Sequence, residues 1–134
     1  MMKPKDAELL NGLALAYMGD AAYEQLVREH LLTNGQTKPN QLHRLATNYV
    51  SAKAQAWLID ALLEEELLTS EEIDYYKRGR NAKSYSKAKN TDGSTYNKSS
   101  GFEAVMGYLY LTKQEDRLHE LIGLCISKVD KTLA

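Results

Sequence analysis

Leu13-Ala14-Leu15-Ala16-Tyr17-Met18-Gly19-Asp20-Ala21-Ala22-Tyr23-Glu24 carries apolar residues three and four positions apart, the period of an α-helix with one buried face. Upstream, Leu9 and Leu10 keep the same rhythm. Downstream, Leu26, Val27 and Leu31 continue it until Asn34-Gly35 ends the run. Asp6 is placed to cap this first helical region. One charge stands out of the stripe, on Asp20, whose neighbours on its own face are Ala16, Tyr17, Tyr23 and Glu24. A carboxylate there is costly unless a donor, a cation or a metal ion satisfies it. The alternative is a break at Gly19-Asp20, with Asp20 capping the next segment.

Most of the remaining chain reads the same way. A second helix starts near Pro39 and carries Leu42, Leu45 and Ala46; proline is tolerated in a first turn. A third covers about Ser51 to Leu68, with Ala54, Leu58, Ile59, Leu62 and Leu63 on its inner side. Thr69-Ser70-Glu71-Glu72 opens a fourth that ends at Gly79, its early acids suiting the helix dipole. The last runs from about Glu115 to Leu133, with Leu118, Leu121, Ile122, Cys125, Ile126 and Val129 at helical spacing. From Arg80 to Ser100 the rhythm vanishes, and only Tyr85 and Tyr96 offer much to bury. A basic polar loop is expected over about 80–100, with Ser99 or Ser100 capping a helix from Phe102 to Thr112. No segment alternates with a period of two. The expected fold class is all-α, one domain spanning residues 1–134.

Composition bounds the function. At 134 residues, 43% hydrophobic and 26% charged, the chain is neither disordered nor fibrous. Its one cysteine, Cys125, excludes an internal disulfide and suits a reducing compartment; its place on an apolar stripe predicts a core residue. Trp57 is expected in the core or at an interface. No apolar run reaches the roughly 20 residues that cross a bilayer, and the first residues lack a signal peptide's apolar segment, so a cytoplasmic protein is expected. His30, His43 and His119 are too scattered to form a zinc site with a single cysteine.

The net charge of −1 hides a polarised chain. Asp60 to Asp74 holds seven acids and no base, whereas Lys77 to Lys98 holds seven bases against Asp92 alone, a local +6. Lys77, Arg78, Arg80, Asn81, Lys83, Lys87 and Lys89 are therefore candidate phosphate-binding residues, because a local cation cluster matters to a polyanion more than the total does. The plain alternative is a solvated face. A second acid of interest is Glu103, in Ser100-Gly101-Phe102-Glu103-Ala104-Val105-Met106-Gly107-Tyr108-Leu109. Glycines at 101 and 107 there let another backbone or a ligand approach. Read alone, Glu103 is equally an acid in a first turn, favoured by the helix dipole.

Taken together, the two acidic segments resemble the ribonuclease III catalytic domain. Leu15 to Glu24 is similar to its signature helix, typically Leu-Glu-Phe-Leu-Gly-Asp-Ala-Val-Leu-Glu. Gly101 to Tyr110 is similar to its second acidic helix, typically Asp-Ala-Phe-Glu-Ala-Leu-Ile-Gly-Ala-Leu-Tyr. With Arg78-Gly79-Arg80-Asn81-Ala82-Lys83 ahead of the second helix, the chain resembles the family's short branch, Mini-ribonuclease III, which carries no double-stranded-RNA-binding domain. The resemblance implies a helical bundle of that type and an endoribonuclease acting on double-stranded RNA as a homodimer. It implies Asp20 and Glu103 as catalytic residues and ligands of Mg²⁺, with Mn²⁺ as a substitute, and precursor ribosomal RNA of the large subunit as substrate. Ala16 and Ser100 stand where the family's two other carboxylates would be. Glu24, one turn beyond Asp20, is placed to orient a water or outer ligand. Two rivals accompany this reading. One is a non-catalytic RNA-binding or ribosome-assembly module on the same fold; the other is a protein-interaction domain using the Asp60–Asp74 acidic face.

Overall fold

The computed structural model describes residues 1–82 and 92–134. Among them are seven helices and no strand: α1 (Pro4–Ala7), α2 (Gly12–Thr33), α3 (Pro39–Val50), α4 (Ala52–Glu64), α5 (Ser70–Arg80), α6 (Gly93–Leu111) and α7 (Glu115–Leu133). The all-α expectation holds.

Four of these helices start after a side chain that relieves free backbone N–H groups. Asn11 accepts from the Ala14 N–H at 2.9 Å and Ser51 from that of Ala54 at 3.1 Å. Thr69 and Glu72 form a reciprocal capping box. The first helical region is therefore two helices, with Asn11 rather than Asp6 capping the long one. That helix runs unbroken for 22 residues through Gly19-Asp20, so Asp20 is not a cap. Helix α6 starts at Gly93, well before Phe102. Asp92 caps it, accepting from the Thr95 N–H at 2.8 Å and the Thr95 hydroxyl at 3.0 Å. Ser99 and Ser100 lie inside the helix, both buried, so residues 93–100 of the expected 80–100 loop are helical instead. Helix α4 stops at Glu64 rather than Leu68, because Glu66 turns left-handed at φ 56°. The N–H groups of Glu66 and Leu67 then return to the carbonyls of Leu63 and Leu62.

Helix α6 is the centre of the bundle, with α2, α4, α5 and α7 packed around it. From Ser99 to Leu109 every residue is buried except Glu103, as expected of a helix enclosed on all sides. Gly79 of α5 and Gly101 of α6 lie at a close crossing: a Cβ on Gly79 would sit 2.7 Å from the Ser100 carbonyl oxygen. On the same interface Tyr75 stacks on Tyr108, with ring centroids 3.8 Å apart.

Helix α7 is fastened through Arg117. Its guanidinium donates to both carboxylate oxygens of the buried Glu72, at 2.9 and 2.8 Å, and to the Leu67 carbonyl at 2.6 Å. Burial pushes the Glu72 pKa upward, but the donors from Arg117 and Thr69 outweigh it and hold the carboxyl below its ordinary value. Cys125 is fully buried in the core, as expected. Trp57 is not core: 47% of it is exposed. Tyr17, counted on the apolar stripe, is 82% exposed. His30 is occupied with Asp130, 3.0 Å away, which also accepts from the Tyr49 hydroxyl. No helix among the described residues is long and apolar enough to cross a membrane.

Candidate active site

Two glycines decide how closely α2 and α6 approach. A Cβ on Gly19 would lie 1.7 Å from the Glu103 carbonyl oxygen, and one on Gly107 would lie 1.9 Å from that of Leu15. Neither position has room for a methyl group, so the two backbones touch there. Edge-to-face packing of Tyr23 on Phe102, centroids 4.9 Å apart, holds the crossing beside the next turn. Asp20 follows Gly19, and Glu103 is the residue Gly19 faces. The crossing thus brings together two acids 83 positions apart in the chain, near enough for Asp20 to act on the Glu103 carboxyl.

Their surroundings differ. Asp20 is exposed, while Glu103 is half-buried. The cost expected for Asp20 on its apolar stripe therefore falls on its partner. Burial, then the hydrogen bond and the charge of Asp20, push the Glu103 pKa up to about 8. Against these, the Gln55 side chain from α4 favours the ionised form. Its Nε2 donates to Glu103 Oε2 at 3.5 Å and to the Val50 carbonyl at 3.3 Å. Gln55 carries no charge and was not singled out in the sequence. The available signal was its position, three and four residues before Leu58 and Ile59 on the inner side of α4.

Among the described residues, no lysine, arginine or histidine forms an ion pair with either acid. Glu24 pairs instead with Arg28, at 3.3 Å. Ala16 and Ser100, at the positions of the two other family carboxylates, are each 6% exposed. No group of three or more His, Cys, Asp or Glu side chains among the described residues is arranged to hold a metal ion. A cation at this pair would have two protein carboxylates and would take its other ligands from water or substrate. That all-oxygen, half-open donor set suits a hard, hydrated ion such as Mg²⁺ and is poor for Zn²⁺. Two close acids with no ion-pair partner among the described residues are also a site that a divalent cation relieves.

The candidate phosphate-binding residues fall into three groups. Lys77 is exposed near the end of α5. Arg80 lies over the Tyr76 ring, 5.4 Å from its centroid, and its Nε donates to the Asn81 side chain at 3.2 Å. Arg78 is used inside the chain: its guanidinium donates to the carbonyls of Glu8 and Leu10, at 2.7 and 3.0 Å, and lies 4.5 Å from the Tyr75 ring centroid. It ties α5 to the turn between α1 and α2. Lys83, Lys87 and Lys89 lie outside the described residues.

A central acid-bearing helix crossed at glycine contact by a second one defines a class. Residues 13–114 match the Ribonuclease III domain, and the chain belongs to that family. It is an endoribonuclease, in a family that acts on double-stranded RNA. The chain is 61% identical over 128 residues to the Mini-ribonuclease 3 of Enterococcus faecalis, covering 96% of this chain and 97% of that one. It is 57% identical over 125 residues to the Mini-ribonuclease 3 of Streptococcus pneumoniae, covering 93% and 98%. The crystal structure of a Fusobacterium nucleatum protein, 28% identical, superposes with a TM-score of 0.78 over 92% of this chain and 97% of that one.

Proposed function

We propose that this endoribonuclease cuts double-stranded RNA at the Asp20–Glu103 pair, holding Mg²⁺ there with Mn²⁺ as a substitute. We further propose that it works in the cytoplasm, as one catalytic domain paired into a homodimer, on the precursor of large-subunit ribosomal RNA. The observation that carries the reading is the meeting of two carboxylates from separate helices with no cationic side chain paired to either among the described residues.

When bound, a divalent cation supplies polarisation of a phosphoryl oxygen, neutralisation of developing charge and a more acidic water for in-line attack. The chain's own residues prepare the rest. Asp20, exposed, presents its carboxylate where a duplex backbone can reach it. Glu103 would hold the ion in its ionised form, and the close glycine crossing would keep it beside Asp20 despite their repulsion. Lys77, Arg80 and Asn81, continued by Lys83, Lys87 and Lys89, supply donors to phosphate oxygens, while Arg78 holds the segment that carries them. A-form RNA is read through phosphates and 2′-hydroxyls, so such donors select a duplex by shape. Two-fold pairing suits this substrate because it offers one acid pair to each antiparallel strand. The ribosomal precursor is supported by the resemblance to the short branch of the family.

The test is incubation of purified protein with a long RNA duplex, with and without Mg²⁺. Cutting is expected only with the ion. Asp20→Asn should lower the rate at least about a thousandfold, about 4 kcal/mol of barrier, while duplex affinity stays close to wild type. Wild-type cutting by Asp20→Asn, or a duplex that is bound but left intact by the wild-type protein, would refute the reading.

A further inference from the structure

Gln55 is 2% exposed, the most enclosed polar side chain among the described residues. The next, Glu72, is accounted for by Arg117 and its capping box. For Gln55 the fold accounts for one contact, the Val50 carbonyl at the end of α3, 3.3 Å from its Nε2, and the other goes to Glu103. Its neighbours along the inner side of α4 are Leu58, Ile59 and Leu62, and an apolar side chain would avoid the cost of burying an amide. Both atoms near its Nε2 are acceptors, Glu103 Oε2 and the Val50 carbonyl oxygen, which decides the flip of the amide: its NH₂ faces Glu103. Its backbone is equally determined, since its N–H donates to the Ser51 carbonyl at 2.9 Å in the first turn of a capped helix.

We infer that Gln55 is the positioning residue of the acid pair: its enclosed amide grips Glu103 Oε2 and fixes the carboxylate plane that meets Asp20. The inference rests on the reading of Asp20 and Glu103 as the ion-holding pair. A neutral donor suits the task. A lysine or arginine at this place would neutralise Glu103 and compete with a divalent cation, whereas an amide orients the carboxylate and leaves its charge available. At 3.5 Å the contact is long, and hydrogen bonds of catalytic groups commonly tighten when substrate binds. Partners of this kind, one step removed from a metal ion, are commonly worth tenfold to a hundredfold in affinity or rate.

Gln55→Met keeps the volume and removes the donor. Expected are a fall of about tenfold to a hundredfold in single-turnover cleavage at saturating duplex, a comparable weakening of Mn²⁺ binding to the RNA-free protein by calorimetry, and a duplex Kd within about twofold of wild type. A folded Gln55→Met protein with wild-type rate and wild-type Mn²⁺ affinity overturns the inference. Should that variant fail to fold, the side-chain amide signals of Gln55 in the wild-type NMR spectrum decide. They should move on adding Mg²⁺ and in Glu103→Gln, and signals unmoved by both overturn the inference. Asp20→Asn and Glu103→Gln serve as controls. Wild-type cutting by both refutes the acid pair and Gln55's role with it, whereas their inactivity beside an unaffected Gln55→Met refutes Gln55 alone.

Discussion

Glu103 combines two functions that oppose each other, packing in the central helix and carrying charge. In the unfolded chain its carboxyl titrates near 4.5, and in the folded chain near 8. Between these values the folded state keeps a proton that the unfolded state has released, so this group's contribution to stability falls as pH rises through the window and is level above it. In metal-free protein, the melting temperature of wild type minus that of Glu103→Gln should therefore decline from pH 4.5 to about 8, and saturating Mg²⁺ should flatten the decline. Thermal denaturation in the presence and absence of a chelator checks this. Subtracting the variant removes groups of opposite sign such as Glu72, whose depressed pKa favours the folded state above the ordinary carboxylate range. Asp20 stood out in the sequence as a charge on an apolar stripe. Glu103, read alone an ordinary first-turn acid, stood out only through the flanking glycines and the resemblance. The division of labour between them was not legible, since periodicity gives the face of a helix and not how deeply a neighbouring helix covers each residue. Gln55 was hidden for a related reason: an uncharged side chain in an apolar row draws no notice until its partner is seen.

At the scale of elements, glycine has opposite meanings at two places. On α6, a Cβ at Gly107 would collide with the Leu15 carbonyl oxygen at 1.9 Å; on α7, a Cβ at Gly123 meets nothing within 4 Å. Gly107→Ala should cost about 3 kcal/mol, because backbone cannot step aside as a side chain can. It should lower activity beyond the loss of folded protein, since it parts the two acids. Gly123→Ala, an exposed interior helix position, should stabilise by about 0.5–1 kcal/mol. Urea denaturation of both variants reads the two signs. Helix ends show where sequence patterns are informative and where they are not. Three helices close with the same paired return of N–H groups, after Asn34, Glu65 and Thr112. The left-handed residue is Gly35 in the first, at φ 88°, but Glu66 and Lys113 in the others, at φ 56° and 64°. The Asn34-Gly35 stop was therefore readable, while the end of α4 was overrun to Leu68. The start of α6 was missed because its first turns carry Ser94, Asn97 and Lys98 rather than an apolar stripe. Its only local mark is Asp92 three residues ahead of Thr95, a cap rather than a core.

Across the whole chain the charges sort along the sequence into two stretches, and the acidic one is partly answered from within. Lys98 pairs with Asp60 at 3.0 Å, and Lys128 pairs with Glu65 at 2.5 Å. These partly exposed pairs contribute little stability, but they lower the negative field that a duplex meets on approach. Replacing Lys83, Lys87 and Lys89 together with alanine should weaken all duplexes alike. The salt dependence of log Kd should flatten by roughly 0.9 for each phosphate no longer neutralised, with little change in cleavage at saturating RNA. Binding titrations of Asp20→Asn protein across a salt series measure the effect without cutting. The solitary Cys125 has a practical use in such work. Fully enclosed in the core, with burial pushing its thiol up to about 12, it is a poor nucleophile at neutral pH. A second cysteine engineered at an exposed site could then take a maleimide dye alone, giving a singly labelled nuclease for fluorescence measurements without deleting the native residue.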